Sequence, residues 1–146
     1  MKIATLKLAI FVSLLLCLGI SIVLLFILYR PNLFLGETIE APNQFTPILV
    51  KVVGIFAIHI SVALASYFST NYTIRVEKAT ERHYIAASVI ILWLICFVIY
   101  ILLNGFSLGN GESTIEGFNK DIDTISASIS FLISGALVFL FVDNSK

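Results

Sequence analysis

His59 is the side chain here whose type and position most invite chemistry. It lies near the midpoint of an apolar stretch, Ile48 to Ser69. An imidazole can carry a proton, ligate a metal or hydrogen-bond through either nitrogen, so an ionisable ring at such depth is a functional candidate by default. A charge at the bilayer centre costs at least about 2.5–3.5 kcal/mol on insertion scales, so the neutral ring is the expected form unless water reaches it. Two readings follow. In one, His59 is a neutral ring bonded to a serine or carbonyl of a neighbouring helix; in the other, it gates, moves a proton or touches a ligand. Cys17 and Cys96 sit at similar depth in their own apolar stretches. The three could in principle meet at a metal, but no ligand spacing supports it and buried thiols ordinarily pack as small apolar groups. No metal and no cofactor are expected.

A second group is basic. Arg75, Lys78, Arg82 and His83 fall in one short polar stretch between apolar runs. Such a cluster can bind anionic lipid or an acidic protein partner, and ordinary positive-inside bias produces the same pattern. Direct nucleic-acid binding is not expected.

The elements that carry these residues follow from composition. The 146 residues are 59% apolar and 12% charged, with no formal net charge, and the mean hydropathy is +1.03. Soluble domains are roughly half apolar and a quarter charged, so this is the composition of a membrane protein. A span takes about 20 apolar residues, at 1.5 Å rise across about 30 Å of hydrocarbon. Four segments qualify: 8–29, 48–69, 84–104 and 122–142. The expected fold is all-α, a single transmembrane domain over 1–146 with four helices in an antiparallel bundle. The first run is read as a retained span rather than a cleaved signal, because it is long and lacks a small-residue cleavage site.

Orientation comes from charge. Lys2, Lys7, Arg75, Lys78, Arg82 and Lys146 fall on one side and Arg30, Lys51 and Lys120 on the other. The bias predicts both termini and the middle hairpin in the cytoplasm. The five tyrosines, Tyr29, Tyr67, Tyr72, Tyr84 and Tyr100, lie at or near span ends, where an amphipathic ring prefers the headgroup level. Residues 30–47 hold all three prolines and 105–121 four of the eight glycines, and both read as irregular loops. The middle stretch has neither residue, and Glu77/Glu81 and Lys78/Arg82 at four-residue spacing predict that it prolongs the flanking helices. Asp121 or Asp123 is the expected cap of the fourth helix.

In lipid, helices approach closely through small residues and bond through hydroxyls. Span one carries Ala9, Ser13, Cys17 and Ser21; span two carries Gly54, Ala57, Ser61, Ala65 and Ser69; span four carries Ser126, Ser130 and Ser134. These faces are expected to pack within the bundle, or one of them to form a subunit contact or line a pore. The serine ladder of span four is the expected oligomer axis and, with His59, the candidate gating set. Span three lacks such a stripe, and its Trp93 and Phe97 suit a lipid-facing helix.

Several function classes are excluded on residues. Span one has no embedded acid such as small multidrug exporters use. Paired outer cysteines, histidine pairs at matched depth and a large cysteine-rich loop are missing too, against disulfide oxidoreductases, haem cytochromes and tetraspanins. Two readings remain: a non-enzymatic membrane subunit, a homo-oligomeric anchor or sensor whose basic hairpin docks a cytosolic partner, or a homo-oligomeric ion channel or pore. In span pattern, and in the Arg75-Lys78-Arg82 hairpin, the chain resembles the four-span membrane subunits of bacterial anti-phage systems of the Kiwa type. That resemblance implies a tetrameric sensor in the bacterial inner membrane that responds to phage attack and restrains or recruits a cytosolic DNA-binding partner. Bacteriocin-immunity and holin-like proteins share the silhouette.

Overall fold

The computed structural model describes residues 2–29, 42–68, 78–109 and 115–141. Within them the chain is helical: α1 (Ile3–Tyr29), α2 (Pro42–Phe68), α3 (Glu81–Gly109) and α4 (Ile115–Phe141). Windows in α1, α2 and α3 (Ile3–Ile27, Thr46–Ala65 and Glu81–Ser107) are long and apolar enough to cross a membrane. A fourth is added if the two halves of α4, Glu116–Ala127 and Ser130–Phe141, inclined by 42°, count as one span.

The helices are longer than hydropathy alone predicts, because the apolar run stops before the backbone has reason to. The first begins at Ile3, so Lys7 lies inside it. Pro42 opens α2, where its missing N–H would have had no partner in any case and its fixed φ suits the first turn. Pro47 lies inside the same helix and removes one N–H from the ladder. The expected irregular loops are corrected accordingly: 42–47, 105–109 and 115–121 are helical. Asp121 and Asp123 therefore stand within α4 rather than capping it, and Glu116 is the acid in its first turn, where the helix dipole favours it.

The middle stretch departs from expectation in the other direction. Lys78, Ala79 and Thr80 are not helical, and Lys78 forms an isolated antiparallel bridge with Lys2. Thr80 is the reason α3 starts where it does. Its carbonyl accepts from the N–H of His83 (3.0 Å) and Tyr84 (3.3 Å), and its own N–H donates to His83 Nδ1 at 3.2 Å. Because Nδ1 accepts there, the Thr80 hydroxyl, 2.6 Å away, must donate to it as well. This is half of a capping box, with histidine in the place usually taken by glutamate or glutamine.

Packing is a ring: α1 touches α2 and α3, and α4 touches the same two. The sequential pair α2 and α3 thus faces across the centre. Cross-contacts set direction. Lys2 meets Lys78, Lys7 reaches Phe141 and His83 packs on Phe139 at one end. Lys51 meets Asp123, and Tyr100 stacks on Phe118, towards the other. Helices α1 and α3 therefore run one way and α2 and α4 the other.

The core is built at three- and four-residue spacing: Leu6, Ile10 and Leu14 on α1; Ile48, Val52 and Phe56 on α2; Ile90, Leu94, Phe97 and Ile101 on α3; Ile133, Leu137 and Leu140 on α4. The outward faces are as apolar as the inward ones, with Leu16, Ile58, Ile85, Leu92 and Leu103 exposed and Phe131 87% so. The expectation for span three is overturned. Trp93 and Phe97 are buried, 4% and 1% exposed, and fill the centre of the ring, because the largest rings bury the most area where two diagonal helices must meet.

Candidate functional site

The centre of the bundle is an aromatic cluster spanning the α2–α3 diagonal. Phe56 lies edge-on to Phe97 (centroids 5.5 Å apart, planes at 77°) and 5.8 Å from Trp93, which itself stacks on Phe97 at 5.2 Å. His59, one turn beyond Phe56 on α2, joins this cluster, its ring 5.2 Å from that of Trp93 and tilted by 35°. It is completely buried. The partner of the histidine is not the serine or neighbouring carbonyl that sequence suggests. Nδ1 lies 2.6 Å from the carbonyl of Ile55 on its own helix. A carbonyl can only accept, so the ring proton is on Nδ1 and Nε2 is left as an acceptor. Nε2 has no hydrogen-bonding partner among the described residues, and neither does the neighbouring donor, Trp93 Nε1.

Cys17 is half-buried on α1, and Cys96 is exposed on the outward side of α3. They do not converge with His59: among the described residues no group of three or more His, Cys, Asp or Glu side chains could hold a metal ion.

The predicted basic cluster divides. Arg75 lies outside the described residues. Lys78 and Arg82 are exposed at the end of the bundle. His83 is half-buried, occupied by Thr80 and packed against the Phe139 ring at 5.4 Å. Lys2 and Lys7 join this end, Lys7 lying 3.5 Å from the Phe141 carbonyl and 6.0 Å from the centre of its ring.

At the opposite end lies an ion pair that sequence reasoning missed. Lys51 Nζ is 2.7 Å from Asp123 Oδ2 and 3.4 Å from the carbonyl of Asn119, which ties α2 to α4. The signal was present: a lysine inside the second apolar segment and an aspartate inside the fourth, both near the same membrane face.

The small-residue stripes also divide. On α1, Ala9 is exposed, Ser13 and Cys17 are half-buried and Ser21 is fully buried. On α2, Gly54, Ala57, Ser61 and Ala65 are all exposed, and a Cβ built at Gly54 meets nothing within 4 Å, while Ser69 lies outside the described residues. This face does not pack within the bundle, because Phe56, His59 and Ala63 take the inward side of the same helix. The Ser61 hydroxyl donates back to the carbonyl of Ala57 at 2.6 Å, as serine does when no other helix offers an acceptor. Ser126, Ser130 and Ser134 are half-buried along the margin of α4.

Fold and site together define a class: an all-helical bundle with three, or up to four, helices of membrane-spanning length and hydropathy and a buried histidine–tryptophan pair at its centre. No protein-family model, no curated protein and no solved structure matches the chain.

Proposed function

We propose that the chain is a non-enzymatic, four-span membrane subunit whose basic end faces the cytoplasm and docks an acidic surface of a cytosolic protein. The observation that carries this reading is the separation of charge between the two ends of the bundle. Lys2, Lys78 and Arg82 stand exposed at one end, with Lys7 beside them and Glu81 the one acid there among the described residues. The other end has Glu116, Asp121 and Asp123 against Lys51 and Lys120. Lysine and arginine mark the cytoplasmic side of short-looped membrane proteins, and an exposed basic surface held on helix ends is complementary to an acidic partner.

The bridge between Lys2 and Lys78 supports the docking role further, since it fixes two cations of different segments in one place before any partner arrives. The exposed Gly54, Ala57, Ser61 and Ala65 face supports self-association, small residues being what lets helices approach closely in lipid. A homo-oligomer built on that face is equally the form a pore would need.

The test is charge reversal. Arg75→Glu, Lys78→Glu and Arg82→Glu together are expected to leave membrane insertion intact and to abolish co-purification of a soluble chain from the native host, read by native mass spectrometry. Retention of that chain by the triple variant would sink the docking role.

A further inference from the structure

The first turn of α3 is closed by a titratable ring. His83 Nδ1 accepts from the Thr80 N–H at 3.2 Å and from the Thr80 hydroxyl at 2.6 Å. A neutral imidazole whose Nδ1 accepts carries its proton on Nε2, so the next proton it takes up goes to Nδ1. The Thr80 carbonyl in turn accepts from the N–H groups of His83 and Tyr84, at 3.0 and 3.3 Å. Two residues before Thr80, Lys78 bridges to Lys2, whose carbonyl accepts from Leu6 N–H at 3.2 Å at the start of α1. The starts of α1 and α3 are thus held together, and the half-buried His83 ring lies 5.4 Å from that of Phe139 on α4.

A proton on Nδ1 is incompatible with this cap. The Thr80 hydroxyl can turn and accept, but the Thr80 backbone N–H cannot, and it then opposes a second donor. The imidazolium also stands at the positive end of the α3 dipole, which favours anions rather than cations. The charges at this end add to the conflict. From α1 come Lys2 and Lys7, from the stretch before α3 comes Lys78, and α3 itself adds Arg82, with Glu81 the one acid among the described residues there. From α4 come the Phe139 ring and the Phe141 carbonyl, the latter 3.5 Å from Lys7 Nζ, and α2 has no charged residue beyond Lys51. The contact with Phe139 survives protonation, since an aromatic ring accepts a cation beside it. The ring therefore stays on α4, and the Thr80 segment is what leaves.

We propose that His83 is a proton-operated latch on the basic end: the neutral ring holds Thr80, and with it the bridge between Lys78 and Lys2, and the protonated ring releases them. Acidification on that side of the membrane frees Lys78 from its fixed spacing to Lys2, the spacing on which a preorganised contact depends. That the released end is a docking surface rests on the function proposed above. The latch itself is a property of the fold and needs no partner.

Residue-resolved amide hydrogen exchange on the full chain in lipid nanodiscs tests it, read as protection factors so that the intrinsic pH dependence of exchange cancels. Between about pH 8 and about pH 5, where histidine changes charge, the His83 and Tyr84 amides are expected to lose about fivefold in protection, the size of a lost N-terminal cap. Ile90 and Leu94, further along the same helix, are expected to keep theirs. His83→Gln places the ordinary capping-box acceptor at the same position and is expected to hold its protection at both pH values. Wild-type protection that does not fall, or a fall of equal size in His83→Gln, overturns the latch. A second measurement reads the ring of the unaltered chain. The chain has two histidines, and the imidazole 15N resonances missing from His83→Gln belong to His83. Their shifts at about pH 8 are expected to show the neutral Nε2–H tautomer; the Nδ1–H tautomer refutes the cap on which the latch depends. The docking reading fails separately. If protection falls with pH while the charge-reversed triple variant still retains the soluble chain, the latch stands and the docking role does not.

Discussion

Exchanging His59 for rings and for alanine separates its packing from its polarity. The imidazole is fully buried, lies 5.2 Å from Trp93, and makes its one hydrogen bond to a carbonyl of its own helix. His59→Ala removes an aromatic contact of about 0.5–1.5 kcal/mol and leaves a void between α2 and α3 that adds about 1–2 kcal/mol. The expected loss is therefore about 1.5–3.5 kcal/mol. His59→Phe keeps the ring contact and most of the volume, and it removes both the Nε2 acceptor and the demand that Nε2 be satisfied. Replacing a polar group by an apolar one of similar shape is close to neutral, so this variant is expected to fall within about 1 kcal/mol of the wild type. The Ile55 carbonyl stays within its helix in both. Unfolding in mixed micelles followed by far-UV circular dichroism is the assay, since Trp93 fluorescence would itself respond to the change. If His59→Phe lost as much as His59→Ala, Nε2 would have to hold a strong partner in the folded chain, and the reasoning from an unpaired acceptor would fail. The expected result instead means that histidine stands at this position for a reason other than stability.

Two further outcomes follow from the ends of the bundle. In a double-mutant cycle of Lys51→Met and Asp123→Asn, the coupling is expected to be about 0.2–1 kcal/mol and to shrink with added salt, because the side chains are 34% and 63% exposed and the pair is partly screened despite its 2.7 Å contact. A coupling unchanged by salt would show that the pair is shielded from solvent. Thr80→Ala removes the hydroxyl that donates to His83 and is expected to cost about 1 kcal/mol. Amide hydrogen exchange should then accelerate in the first turn of α3 around Glu81 to Tyr84, and unchanged protection there would refute the capping role.

The amino-acid sequence by itself determined the rough position of the apolar helices, the place of His59 midway along one of them and the gathering of Lys2, Lys7, Lys78 and Arg82 towards one end. These depend on segment length, local composition and counting along the chain, and neighbours in space do not alter them. It misjudged the ends of the helices, because backbone hydrogen bonding continues past the last apolar residue, as it does through Phe106 on α3 and from Glu116 on α4. Only the tertiary structure decided which face of each helix is inside. When a helix is apolar all round, periodicity carries little information about burial: Leu92 and Trp93 are equally plausible core residues on paper, yet one is 63% exposed and the other 4%. The same ambiguity concealed the outward turn of Gly54, Ser61 and Ala65, and the place of Trp93 beside His59. The ring order puts α2 and α3 on a diagonal, and packing two large rings across that diagonal selects their faces. The Lys51–Asp123 pair is likewise a property of helices brought side by side, joining residues far apart in the chain whose local surroundings say nothing of one another.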